Sequence, residues 1–173
     1  MYLAGQAGGI AIVDLLLGKV NPSGKLAETF LQNLEDNPSY PYFPGANKVV
    51  AYRESIYVGY RYYDTVNMQV RFPFGHGLSY TKFEYRNLTI REMGPYSYRV
   101  ELDITNCGRV DGAEVVQLYV QCIASSIFRA KKELKSFQKI FIEAGKTAKV
   151  EMDLDKRSFA YYNTVAKDWC VEG

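Results

Sequence analysis

The chain has 173 residues, enough for one domain or two small ones. A hydrophobic fraction of 47% and a charged fraction of 23% are ordinary for a globular protein and exclude a disordered acidic or basic tail. A net charge of +2 gives no strong field for nucleic acid or an anionic membrane. The longest apolar run, from Gly8 to Leu17 and broken by Asp14, falls well short of the roughly 20 residues of a membrane span.

In chain order, Gln6 to Leu17 reads as a helix. It is apolar nearly all round through Ile10, Ile12, Val13, Leu15, Leu16 and Leu17, the pattern of a buried helix, and Gly18 suits the position just past its end. Asn21-Pro22-Ser23-Gly24 is turn chemistry, and Lys25 to Phe30 reads as a short strand. One helix and one strand cannot bury their own apolar faces. Residues 1–35 therefore expose apolar surface unless a partner covers it, and the natural partner is a larger α/β sheet. Between Asp36 and Gly45, Pro38, Pro41, Pro44 and Gly45 argue against regular structure, so this stretch is expected to be an extended surface strap. Ser55 to Tyr63 has the apolar spacing of a helix in a composition that favours strands.

The chain changes character near Tyr85. More than half of its aromatic residues lie between Tyr40 and Tyr85. Short alternating segments follow, which places a domain boundary at 85/86. The second part reads as an all-β sandwich. Tyr98 to Ile104 alternates strictly, Asn106-Cys107-Gly108 and Asp111-Gly112 are turns, and Ala113 to Val120 is a strand. Glu133 to Ile140 and Ala148 to Leu154 are further strands about the turn Glu143 to Lys146, and Tyr161 and Trp169 are candidate core aromatics.

Two stretches are too specific for generic loops. They are Tyr57-Val58-Gly59-Tyr60-Arg61-Tyr62-Tyr63-Asp64 and Arg71-Phe72-Pro73-Phe74-Gly75-His76-Gly77-Leu78-Ser79-Tyr80. With Gly5-Gln6-Ala7-Gly8-Gly9 and Asn21-Pro22-Ser23-Gly24-Lys25-Leu26, they resemble the downstream part of a glycoside hydrolase family 3 enzyme of the β-glucosidase type. Ile104 to Gly108, Gly112 to Val120 and Lys132 to Phe137 resemble that family's fibronectin type III-like domain. The resemblance implies a mainly β chain, with residues 1–85 closing a family 3 α/β domain and residues 86–173 forming an immunoglobulin-like sandwich. In the family a tight turn and one more strand follow the segment containing Trp169. The resemblance thus implies a sandwich lacking its last strand, with an open sheet edge available for homodimerisation.

The resemblance also implies a retaining hydrolase of β-linked glucosides that works with two carboxylates and no cofactor. The family's nucleophile lies on a barrel domain, and its acid/base segment precedes the Gly5-Gln6 motif. No catalytic residue is carried onto this chain, whose own role is expected to be structural. Its partners would be the barrel and α/β domains, with a β-glucoside or oligosaccharide bound by the whole enzyme. The alternatives are a standalone carbohydrate-binding β-sandwich, marked by an exposed strip of coplanar aromatics, and a domain-bracing or dimerisation module, marked by large apolar patches on the first 80 residues.

Read from the residues themselves, Glu54 and Asp64 are the best carboxylate pair, though a cap or an ion pair explains each more simply. Ser79 and His76 have no third group and make no hydrolase triad. His76 fits a sugar-hydroxyl contact, or a turn whose glycines take positive φ while the imidazole bonds backbone. Arg61 and Tyr62 suit either stacking on a sugar ring or packing between domains. Arg61, Tyr62 and His76 are thus the candidate substrate-binding residues. Lys131, Lys132, Lys135 and Lys139 read as a solvated face. Cys107, Cys122 and Cys170 have no metal or redox spacing and are expected as free thiols in a reducing cytoplasm. Asn87-Leu88-Thr89 is a glycosylation sequon of a kind common by chance.

Overall fold

A computed structural model describes residues 2–172. The chain forms two compact units that interleave in sequence. One gathers the residues up to Gly24, Gly77–Gln117 and Ser136–Leu154; the other gathers Lys25–His76, Leu118–Lys135 and the residues from Asp155 onward.

The first unit holds most of the sandwich. Strand β1 (Phe83–Gly94) pairs antiparallel with β2 (Ser97–Asn106), which pairs antiparallel with β5 (Thr147–Leu154), giving the order β1-β2-β5. Strands β3 (Gly112–Val120) and β4 (Glu133–Ile142) form a second, two-stranded sheet. The alternation read from the sequence is realised on β2 and β5. Val100, Leu102 and Ile104 point to the core with Val150, Met152 and Leu154, and Val116 and Ile142 join them from the other sheet. On the opposite face of β2, Glu101 lies between Arg91 and Lys149, each at 3.2 Å. Arg99 continues this ladder to Asp153 at 2.8 Å.

Two asparagines tie the turns of this unit together. Asn21 donates to the carbonyl of Asp111 at 2.9 Å and accepts from the Tyr80 N–H at 2.8 Å and the Ser79 hydroxyl at 3.1 Å. Gly112 is small for this reason: a Cβ there would meet Asn21 Nδ2 at 2.5 Å. Asn106 is fully buried. Its amide donates to the carbonyls of Val110 and Ile142, both at 2.9 Å, and accepts from the Gly108 N–H at 3.1 Å and from the Thr81 hydroxyl.

Helix α1 (Gly8–Leu16) also belongs to this unit and ends where Gly18 takes φ +71°. It is the expected helix, but none of its residues is buried, and Ile10 and Leu16 are 73% and 76% exposed. Residues 2–35 thus carry the bare apolar surface expected without a covering partner.

The second unit is mostly irregular, and several expectations are corrected there. Lys25 to Phe30 is not a strand. It lies along Phe72 to His76 with one bridge, Phe30 to Phe72, and flanking bonds from Leu26 to His76 and from Gly75 to Leu26. Pro73 in the facing segment has no N–H, and so interrupts a ladder. The strap has local regular structure after all, a single 3₁₀ turn at Tyr40–Tyr42, and another at Leu34–Asp36 leads into it. The helix expected from Ser55 to Tyr63 is displaced to α2 (Tyr60–Thr65). Ser55 and Gly59 have φ of +53° and +57°, which bars a helix across them. After β5 come a short helix α3 (Lys156–Phe159), capped by Asp155, and a hairpin of β6 (Tyr161–Asn163) and β7 (Asp168–Cys170). Trp169 is on this hairpin, 42% exposed and edge-on to Tyr162, rather than in the core. A hairpin of three-residue strands has no second layer of its own to enclose a ring of that size.

Candidate functional site

Helix α2 is the organising element of the candidate site. Gly59 starts it with positive φ, and Tyr60, Arg61, Tyr62 and Tyr63 follow in succession, so their side chains fan out at about 100° intervals. Tyr63 points inward and is buried. Tyr60 packs on Phe74 and Tyr119 with centroids 4.8 and 5.8 Å away, and its hydroxyl accepts the Leu134 N–H at 2.8 Å. Tyr62 and Arg61 face two different recesses.

Tyr62 lines a pocket of about 310 Å³ with Tyr42, Arg53, Glu54, Tyr57 and Phe128. The Arg53 guanidinium lies 4.5 Å above the Tyr42 ring. Tyr57 packs against Phe128 at 5.1 Å and donates its hydroxyl to the Phe128 carbonyl at 2.8 Å. Burial, with the Glu133 charge next in size, raises the Tyr57 hydroxyl above its usual range and keeps it a donor.

Arg61 lines a larger groove of about 760 Å³, with Tyr57, Glu133, Lys135, Arg157, Tyr162 and Trp169 also among its lining. Glu133 is held by Lys135 at 2.5 Å and by Arg129 at 3.4 Å. Burial works to raise its carboxyl, but these two cations outweigh it and leave it below the usual carboxylate range. Asp155 spends its carboxylate on the α3 cap, accepting the Ser158 N–H and hydroxyl at 2.9 Å each.

His76 joins neither recess. Its ring stacks on Phe72 with centroids 5.1 Å apart, and its carbonyl, not its imidazole, takes the Leu26 N–H. Of its flanking glycines, Gly75 has positive φ, +80°. Arg61 and Tyr62 are therefore neighbours on one helix that serve separate cavities, and His76 stands apart from both. Of the candidate carboxylates, Asp64 is tied to Lys132 at 3.0 Å, while Glu54 lines the smaller pocket. Among the described residues no cluster of three or more His, Cys, Asp or Glu side chains is placed to hold a metal ion. The three cysteines are free thiols.

Residues 1–80 match the model of the glycosyl hydrolase family 3 C-terminal domain, and residues 114–173 match that of the fibronectin type III-like domain. The chain belongs to glycoside hydrolase family 3. This family 3 chain is 53% identical over 99% of its length to the thermostable β-glucosidase B of Acetivibrio thermocellus and 43% identical to an exo-α-(1→6)-L-arabinopyranosidase of Bifidobacterium breve. In each case it covers 23% of the relative. The crystal structure of the family 3 β-glucosidase of Bifidobacterium adolescentis superposes with a TM-score of 0.93 at 46% identity, over 96% of this chain and 25% of that one. The chain thus spans about a quarter of the length of the relatives it matches.

The larger groove was not legible in the sequence of this family 3 chain. Its walls come from residues 55–61, 133–135 and 155–169, which no spacing rule connects. Arg157 and Tyr162 carry no motif, and Trp169 by its size suits a core position equally well.

Proposed function

We propose that this chain contributes the C-terminal portion of a retaining β-glucosidase-like glycoside hydrolase, and that its own part is structural. Residues 1–85 would complete an α/β domain and residues 86–173 form the fibronectin type III-like domain. The carboxylate pair that cleaves the glycosidic bond would come from the barrel and the preceding α/β segment. The observation that carries this reading is the close superposition on a β-glucosidase of which the chain covers only a quarter. The bare face of α1 adds support, since a helix with Ile10 and Leu16 in water calls for a covering layer. Arg61, Tyr62 and His76 stand as proposed contacts to saccharide in the whole enzyme, and self-association through the bare face is the corresponding proposal for the chain alone.

The test is a chimera. This chain replaces the corresponding region of the Acetivibrio thermocellus β-glucosidase, and hydrolysis of a nitrophenyl β-glucoside is measured beside that of the 173-residue chain. The chimera is expected to be active and the chain inactive. A folded but inactive chimera, or turnover by the chain alone that disappears in Glu54→Gln or Asp64→Asn, overturns the proposal.

A further inference from the structure

The larger groove has an imbalance that points to a ligand. Its carboxylates are already engaged, Glu133 by Lys135 and Arg129 and Asp155 by the α3 cap. Its guanidiniums are not. Arg61 lies over the Tyr60 ring at 5.7 Å and Arg157 lies over Trp169, and among the described residues neither makes an ion pair. A guanidinium over a ring face is attracted by the ring but spends none of its five N–H donors on it, so those donors stay available to a bidentate acceptor.

The rest of the lining says what carries that acceptor. Tyr57, Tyr161, Tyr162 and Trp169 offer ring faces and edges, and Tyr162 is 47% exposed. The hydroxyls of Ser55 and Thr164 lie among them. Aromatic surface interspersed with hydroxyls suits a pyranose ring, which has an apolar C–H face and a polar rim. A bare inorganic anion would have no use for the rings. A volume of about 760 Å³ lies within the 300–1,000 Å³ typical of small-molecule sites.

We propose that this groove binds an acidic saccharide, a pyranose bearing a carboxylate such as a uronic acid, with Arg61 and Arg157 holding the carboxylate and Tyr162 and Trp169 forming the wall against the ring. The groove lies wholly within one unit of this chain, so the inference does not depend on the chimera's activity.

Trp169 is the only tryptophan of the chain and lines the groove, so its fluorescence reports occupancy directly. The 173-residue chain is titrated with a glucuronosyl-xylose disaccharide, with neutral cellobiose and with tetraglutamate. A saturable change is expected with the acidic disaccharide, at an affinity at least tenfold above that for cellobiose. Arg61→Gln should remove this preference, Arg61→Lys should retain part of it, and Arg157→Gln should weaken it, with far-ultraviolet circular dichroism showing that each variant keeps its fold. Should Arg61→Gln misfold, the Arg61→Lys and Arg157→Gln titrations decide. No saturable signal with the acidic disaccharide, equal affinity for cellobiose, a preference unchanged in the folded variants, or tighter binding of tetraglutamate overturns the proposal. The last result would assign the groove to an acidic protein segment.

Discussion

Replacing Asn106 tests whether one buried amide holds the sandwich turns together. Its side chain makes four hydrogen bonds: two donated to the carbonyls of Val110 and Ile142 and two accepted, from the Gly108 N–H and the Thr81 hydroxyl. The backbone bonds of Asn106, to Lys146 and from Gly145 at 2.9 Å each, survive any substitution there. Each side-chain bond contributes about 0.5–1.5 kcal/mol net, and a buried partner left unsatisfied costs about 1–3 kcal/mol. Thr81 is itself buried and would lose its acceptor. Asn106→Ala should therefore cost about 3–5 kcal/mol, a large share of a typical stability of about 5–15 kcal/mol. At about 2–4 °C per kcal/mol, that lowers the melting temperature by roughly 10 °C. Thr81→Ala removes one donor and should cost about 1 kcal/mol. Asn106→Asp keeps the shape but sets a carboxylate against two carbonyl oxygens, and should be at least as damaging as alanine. Urea and thermal unfolding followed by circular dichroism measure all three. A loss under about 1 kcal/mol for Asn106→Ala, or a wild-type stability for Asn106→Asp, would refute the reasoning.

Two further outcomes follow from burial and exposure. The double variant Ile10→Glu, Leu16→Glu should reduce self-association of the chain in light scattering without lowering its melting temperature, since both side chains are largely in solvent; a melting temperature lowered by several degrees would mean that the helix face is covered within the chain itself. Burial, with Tyr60 and Asp64 next in effect, pushes the Tyr119 hydroxyl up to about 12, against about 10 in an unfolded chain. Because the folded-state value is raised, the stability it contributes is complete below pH 10 and is lost as pH rises through about 12. Absorbance titration at alkaline pH should show late-ionising tyrosines, Tyr85 among them, and one fewer of these in Tyr119→Phe; titration of all tyrosines together near pH 10 would contradict this.

What the sequence disclosed tracks burial on one side. Strands β2 and β5 alternate because one face of each packs into the core, and both were legible. Strand β1 is exposed along nearly its whole length, has no buried period to impose alternation, and was not foreseen as a strand. Its register also shifts between Arg86 and Thr89, where Asn87 takes φ +55°, so a strict two-residue period fails there as well. Asn106 looked like a turn residue because its polarity and its neighbours Cys107 and Gly108 fit a turn equally well. Only the tertiary structure reveals that its amide is enclosed.

The candidate site was the least legible part, for a related reason. The unit that carries it has little regular structure, so its segments are joined by side chains bonded to main chain. The Tyr57 hydroxyl reaches the Phe128 carbonyl, the Tyr60 hydroxyl takes the Leu134 N–H, and the Thr65 hydroxyl takes the Lys131 N–H. Arg129 reaches the Phe159 carbonyl, and Glu172 gathers Ser125 and the Ser126 N–H. All five ties land on the stretch between Ser125 and Leu134, which has no strand or helix until β4 begins. A sequence reading sees there a loop followed by lysines. The structure shows the segment on which α2, α3 and the C-terminal residues converge, and a groove whose charges are set by which of those ties use up a carboxylate. Glu133 is consumed by its ion pairs with Lys135 and Arg129, whereas Arg61 makes none among the described residues. That difference gives the groove its net preference for an anion, although its lining carries both signs.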